Sequence, residues 1–147
     1  MHPTAMKLRY VEHIYGPYAD NLNKVLERLE GHYTRGYSGD RSPDVEIELL
    51  PGAVDDADRF LQPLTDSRAR LRRVEELIEG FETPYGMELL ASVHWLAVHR
   101  ESAVTTSDQA LRELHGWNER KKQVFQAPHV RVAWERLERE AWLPKAA

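Results

Sequence analysis

Residues 83–98 read TPYGMELLASVHWLAV, from Thr83 to Val98, and this stretch decides the fold. Thr83 offers a capping hydroxyl, and Pro84 falls in the first turn, where a helix needs no N–H. Met87, Leu90, Ala91, His94, Trp95 and Val98 then recur at helical spacing, while Leu89, Val93, Leu96 and Ala97 make the remaining surface apolar too. A helix apolar nearly all round belongs at the centre of a domain. The apolar stretch from Met87 to Val98 is interrupted by Glu88, Ser92 and His94, and it is too short to span a bilayer.

Working outward, Gly80 ends a preceding helix. Thr65, Asp66 and Ser67 are its capping candidates, and Leu71, Val74, Leu77, Ile78 and Phe81 mark its buried face. After Arg100 the spacing predicts three short helices, Ser107 to His115, Asn118 to Phe125 and Pro128 to Glu140. Val130, Ala133, Trp134, Leu137 and Ala141 share one face of the last. This is a winged-helix-like three-helix part, although the ending Trp142-Leu143-Pro144-Lys145 leaves little length for a wing. Nearer the start, Ala53 to Leu61 reads as a short acidic helix. VEIELL, Val45 to Leu50, alternates as a strand with one wet face, and its partner is not identifiable. Leu22, Val25, Leu26, Leu29 and Tyr33 predict a helix from Tyr18 to about Glu30, followed by the loop HYTRGYSGDRSPD. Residues 1–8 read as an irregular arm, part of an aperiodic opening that runs to Pro17. The fold class expected is mainly α, an α+β domain with a small β element, in one compact unit over residues 1–147.

Composition agrees with that class. The chain has 147 residues, 41% hydrophobic and 30% charged, within the range of ordinary globular domains. It has no cysteine, so disulfides and thiolate metal sites are excluded and a cytoplasmic location is expected. A net charge of -4 argues against whole-surface binding to nucleic acid.

Candidate chemistry is sparse. No motif of the zinc protease, serine hydrolase, nucleotide-loop or calcium-loop kind occurs. His94, His99 and Glu101 form the best metal candidate, but five helical residues separate the two imidazoles by about 140°. No metal or cofactor is therefore expected. Arg68, Arg70, Arg72 and Arg73 could meet phosphate, although Glu75 and Glu76 lie at pairing distance and favour a laced, solvated face. Arg120-Lys121-Lys122 is a second basic patch. The last helix balances Arg131, Arg136 and Arg139 against Glu135, Glu138 and Glu140, which suits DNA poorly. Asp44, Glu46, Glu48, Asp55, Asp56 and Asp58 form a segment without a single cation. It can complement a basic groove on a partner or be a solvated strand face and helix turn.

Three blocks carry a resemblance: RYVEHIYGPYADNLNKVLERLEGHYTRGY (Arg9 to Tyr37), RVEELIEGFETPYGMELLASVHWLA (Arg73 to Ala97) and WNERKKQVFQAPHVRVAWERLEREAWL (Trp117 to Leu143). They resemble the C-terminal region of the DarG antitoxin family of DarT/DarG toxin–antitoxin systems, over residues 9–143. The resemblance implies a partner, a DarT-like toxin that uses NAD to attach ADP-ribose to thymidine in single-stranded DNA. It also implies that this region restrains the toxin by direct contact, as a monomer or a toxin heterodimer. The family's macrodomain, which removes the modification, is not visible before Arg9, so the expectation is a chain that is not an enzyme.

A surface that takes single-stranded DNA combines cations for phosphates with platforms for bases, so a mimic needs carboxylates and rings. Glu46, Glu48, Asp55, Asp56, Asp58, Glu79 and Glu82 supply the first, and Tyr33, Tyr37, Phe81 and Tyr85 the second. For Phe81 and Tyr85 the competing reading is core packing at a helix–loop–helix corner. The alternative function is a winged-helix-type DNA-binding or autoregulatory module.

Overall fold

The computed structural model describes residues 7–37, 45–100 and 104–144. Among these residues the protein is mainly helical, with seven α-helices and two small two-stranded sheets. By packing it divides into two compact units, Met1–Val11 with Tyr18–Arg70, and Glu12–Pro17 with Leu71–Ala147.

The opening segment is more ordered than its lack of period suggests. It forms β1 (Val11–His13) and β2 (Gly16–Tyr18), a tight hairpin. In the first unit a short 3-10 turn, Asp20–Leu22, leads into α1 (Asn23–Leu29), so the regular helix starts five residues later than the periodicity predicts. Asn21 is used to hold the arm: its side-chain oxygen accepts from the Arg9 N–H at 3.2 Å and its amide donates to the Lys7 carbonyl at 2.7 Å.

The strand missing a partner finds one inside the supposed loop. β3 (Thr34–Arg35) pairs antiparallel with β4 (Glu48–Leu49), setting Thr34 opposite Leu49 and Arg35 opposite Glu48. Gly36 makes this crossing possible, because its φ is +108° and a Cβ there would overlap the Glu46 carbonyl. The carboxylate of Glu30 accepts from the Gly36 and Tyr37 N–H groups at 2.9 and 3.0 Å, fixing the strand exit. Pro51-Gly52 then turns the chain into α2 (Ala53–Leu61). Ala19, Thr34 and Ala53 are the described buried residues of this unit. The expected division of VEIELL into a wet and a dry face is not realised, since Val45, Ile47 and Leu49 are all exposed.

α3 (Thr65–Ile78) starts from the Leu64 carbonyl, which accepts from Arg68 N–H at 3.0 Å, so Thr65 to Ser67 lie inside the first turn rather than ahead of it. It continues into the second unit, where one guanidinium nitrogen of Arg136 donates to the carbonyls of Glu76, Leu77 and Glu79 at 3.1, 3.0 and 2.7 Å. These are the acceptors a helix end leaves unpaired.

α4 (Pro84–His99) is capped as the sequence predicts, with Thr83 Oγ1 accepting from Gly86 N–H at 3.0 Å. It packs against α5 (Ser107–Trp117) and α7 (Ala127–Arg139), with α6 (Glu119–Val124) between them in sequence. Leu89, Leu90, Val93 and Leu96 meet Leu114, Phe125, Val130 and Leu137 in the core. Such side chains each contribute about 1.5–3 kcal/mol when fully buried. The central helix is nevertheless not enclosed all round, because Met87, Ala91 and Val98 reach solvent. Asn118 ends α5 and caps α6, accepting from Lys121 N–H at 2.8 Å. After α7, Ala141 takes a φ of +57° and Trp142 N–H returns to the Leu137 carbonyl at 2.8 Å, a Schellman-type stop.

The hairpin tip is bound within the second unit. Trp95 Nε1 donates to Glu12 at 3.2 Å, Arg100 pairs with Glu12 at 3.2 Å, and Asn118 donates to the Ile14 carbonyl at 3.2 Å. Gly16, with φ of +127°, lies against Ser92, where a Cβ would stand 3.2 Å from Oγ.

Candidate partner-binding surface

The structure sorts the site residues expected from sequence into two sets. The first unit holds Tyr33, Tyr37, Glu46, Glu48, Asp55, Asp56 and Asp58, and the second holds Glu79, Phe81, Glu82 and Tyr85. Asp44 lies outside the described residues.

In the first set the carboxylates share their segments with uncovered apolar side chains. Leu49 is 65%, Val54 55%, Phe60 66% and Ile47 46% exposed. Three positions separate Ala57 from Val54 and from Phe60, so α2 carries an apolar stripe beside its acidic face. Asp56 pairs with Arg59 and Glu48 with Arg35, but these contacts are open to solvent, where an ion pair contributes about 0–1 kcal/mol. Glu46, Asp55 and Asp58 form no ion pair among the described residues. Tyr33 is exposed. Tyr37 is more restrained: its hydroxyl donates to Asn23 at 3.0 Å, and the Asn23 amide donates to the Tyr18 hydroxyl at 2.8 Å.

In the second set the corner is mostly structural. Phe81 is only 9% exposed and sits in the core, with the Arg136 guanidinium 5.4 Å from its ring centre. It takes the core-packing position that the sequence offers as its competing reading. Glu82 closes the turn by accepting from Gly80 N–H at 2.6 Å. Glu79 is exposed. Tyr85 is half-buried; its hydroxyl stands 2.6 Å from His129 Nδ1 and its ring meets Phe125 edge-on at 5.5 Å. Burial, and then the charge of Glu88, hold its phenol above the ordinary value.

A buried polar cluster went unread in the sequence. Lys121 is fully buried, and its Nζ donates to Glu88 Oε1 at 2.9 Å and to Ser92 Oγ at 3.1 Å. Arg120 reaches the same Glu88 oxygen at 2.5 Å, and Tyr15 lies 4.6 Å from its guanidinium. Trp117 and Phe125 rings flank the Lys121 ammonium at 4.8 and 5.1 Å. Burial pushes the Lys121 amine below its ordinary pKa, while Glu88 opposes that shift and Arg120 adds to it. The supposed basic patch Arg120-Lys121-Lys122 is therefore dismantled, leaving Lys122 alone as an exposed cation. Its signal in the sequence was Glu88 and Ser92, one turn apart on an otherwise apolar helix, two polar groups that needed partners.

The histidines are occupied by aromatic contacts. His99 stacks on Trp95 at 3.8 Å, His94 meets Trp142 edge-on at 5.9 Å, and Glu101 lies outside the described residues. Among the described residues no three metal-ligating side chains converge, and no helix is long and apolar enough to cross a membrane.

No family model matches the chain. It is 42% identical over 132 residues to a DNA ADP-ribosyl glycohydrolase of Thermus aquaticus, a match covering 90% of this chain and 36% of that protein. It is 36% identical over 134 residues to proteins of the same name from Mycobacterium bovis and Mycobacterium tuberculosis, covering 84% of this chain and 36% of each. The chain thus spans about a third of the length of these relatives. The similarity supports kinship with the DarG-type DNA ADP-ribosyl glycohydrolases. It also corrects the expectation that the chain is not an enzyme, because the relatives are named for a hydrolytic activity. That expectation rested on a macrodomain not being visible before Arg9, which is no ground for excluding an activity in a chain that spans 36% of its relatives.

Proposed function

We propose that the chain is part of a DarT/DarG-type antitoxin and binds the DNA-modifying ADP-ribosyltransferase of that system, covering its single-stranded DNA site. One observation carries this reading. A unit with three described buried residues leaves Ile47, Leu49, Val54 and Phe60 uncovered among carboxylates. Large apolar groups left exposed in so small a unit suit a partner surface, and the carboxylates on the same segments suit a groove built for phosphates. Leu49 and Phe60 supply the apolar anchors, Asp55, Asp58 and Glu46 stand in for phosphates, and Tyr33 is the free ring. Antitoxin action, protein–protein interaction and DNA mimicry are here one mechanism, placed in the bacterial cytoplasm.

The test is transferase-catalysed modification of a thymidine-containing single strand, with NAD saturating and DNA varied, in the presence and absence of the chain. Inhibition relieved by excess DNA supports occupation of the DNA groove. Inhibition that DNA cannot relieve moves the contact elsewhere, and none alongside a folded chain overturns the reading. The relatives' name makes release of ADP-ribose from modified DNA the second activity to assay on the same preparation.

A further inference from the structure

α3 is a 14-residue helix in which only Leu77 is buried. Leu71, Val74 and Ile78 recur at intervals of three and four and share one face. Leu71 is nevertheless 45% and Val74 38% exposed. Past Asp66 in the first turn, the charges along the helix are sorted by sign. Arg68, Arg70, Arg72 and Arg73 precede Val74, and Glu75 and Glu76 follow it, with Glu79 just beyond. The lacing expected from sequence does not occur: among the described residues none of these arginines pairs with any of these glutamates. Arg73 turns instead over the Trp142 ring, 5.0 Å from its centre.

We infer that α3 is an interface for a second copy of this chain, the two helices lying antiparallel about a two-fold axis near their midpoints. A helix with arginines toward its start and glutamates toward its end complements itself only when reversed. A parallel pair stacks like charges, whereas a two-fold axis sets each arginine cluster against the other copy's glutamates. The apolar register agrees. Leu71 and Val74 have the spacing of seam positions, and an antiparallel seam brings Leu71 of one copy against Val74 of the other, twice. Arg68 and Glu75, seven residues apart, flank that seam on the same side and face each other across it. Two apolar layers bury much less than the roughly 1,200 Å² of a standard stable complex. The association is therefore weak, reversible and favoured by low salt.

The chain has no cysteine, so engineered thiols report the geometry directly. Leu71→Cys and Val74→Cys variants, mixed in equal amounts and mildly oxidised, are expected to give the mixed disulfide several-fold over either homodimer. Glu135→Cys, an exposed position on α7, sets the collisional background. Arg68→Glu or Glu75→Arg alone should lower the mixed product toward that background, and the two together should restore it by exchanging the pair. Circular dichroism of each variant separates loss of association from loss of fold. Cross-linking at background level in folded variants, a dominant Leu71→Cys homodimer, or indifference to the charge exchange would each overturn the inference.

Discussion

Lys121 and Glu88 stand 2.9 Å apart, the amine fully buried and the carboxylate side chain 10% exposed, so one of the chain's 20 Lys and Arg residues is inside the molecule. Ser92 takes a second ammonium proton and Arg120 shares the carboxylate. Removing one member of such a pair leaves an uncompensated charge, which destabilises by about 3–5 kcal/mol. Lys121→Met is expected to lie toward the lower end, because Arg120 still neutralises Glu88. Glu88→Leu combined with Lys121→Met should recover part of the loss, and a urea-unfolding double-mutant cycle measures the coupling.

The partner surface makes the opposite prediction. Phe60→Ala and Leu49→Ala remove exposed side chains, so folding stability should change by less than about 0.5 kcal/mol. Inhibition of the transferase should weaken by about 2 kcal/mol for each, roughly 30-fold, if these are anchors. Phe81→Ala should behave in reverse, lowering stability by about 3–5 kcal/mol as a core truncation. Titration calorimetry against the transferase, beside thermal melts, distinguishes them.

Stability should also depend on pH through His94. Burial first, and then the charge of His99, hold its imidazole below the ordinary value of about 6.5, and the backbone hydrogen bond at Trp142 only partly opposes this. The unfolded chain therefore binds the proton more readily than the folded one, and stability rises with pH in that range. The contribution is complete above the unfolded pKa and is lost as pH falls through the folded one. Urea midpoints at pH 7.5 and pH 5 should differ, and His94→Leu should shrink that difference.

Ala141 offers a gain. It holds a left-handed φ of +57° at the end of α7, a conformation that disfavours a side chain. Ala141→Gly is expected to stabilise by about 1 kcal/mol, read as a rise in the thermal midpoint.

What the sequence disclosed divides along physical lines. α4 and the three helices after it were legible because long apolar periods and local caps, Thr83 and Asn118 among them, are encoded within a few residues. The β3–β4 pair was half legible. VEIELL showed a strand, but Thr34 and Arg35 have no period, and their pairing depends on Gly36 and on the Glu30 carboxylate. The acidic surface could be named residue by residue, yet no pattern separates an apolar side chain that enters a core from one that stays exposed, as Ile47 and Leu49 show. Phe81 was legible as a core residue from its helical spacing, whereas Lys121 was not, because it is placed by a contact with Glu88 more than 30 residues away in sequence.

Gly36 carries a consequence for how this surface can evolve. Its backbone conformation and the Glu46 carbonyl beside it admit no side chain, so the crossing that holds β3 against β4 is fixed. Arg35, Glu48 and Leu49 next to it project outward and touch little else, so they can exchange charge and size without disturbing that crossing. A lineage can thus vary the exposed face of the sheet one residue at a time, while the glycine beside it remains the position it cannot change.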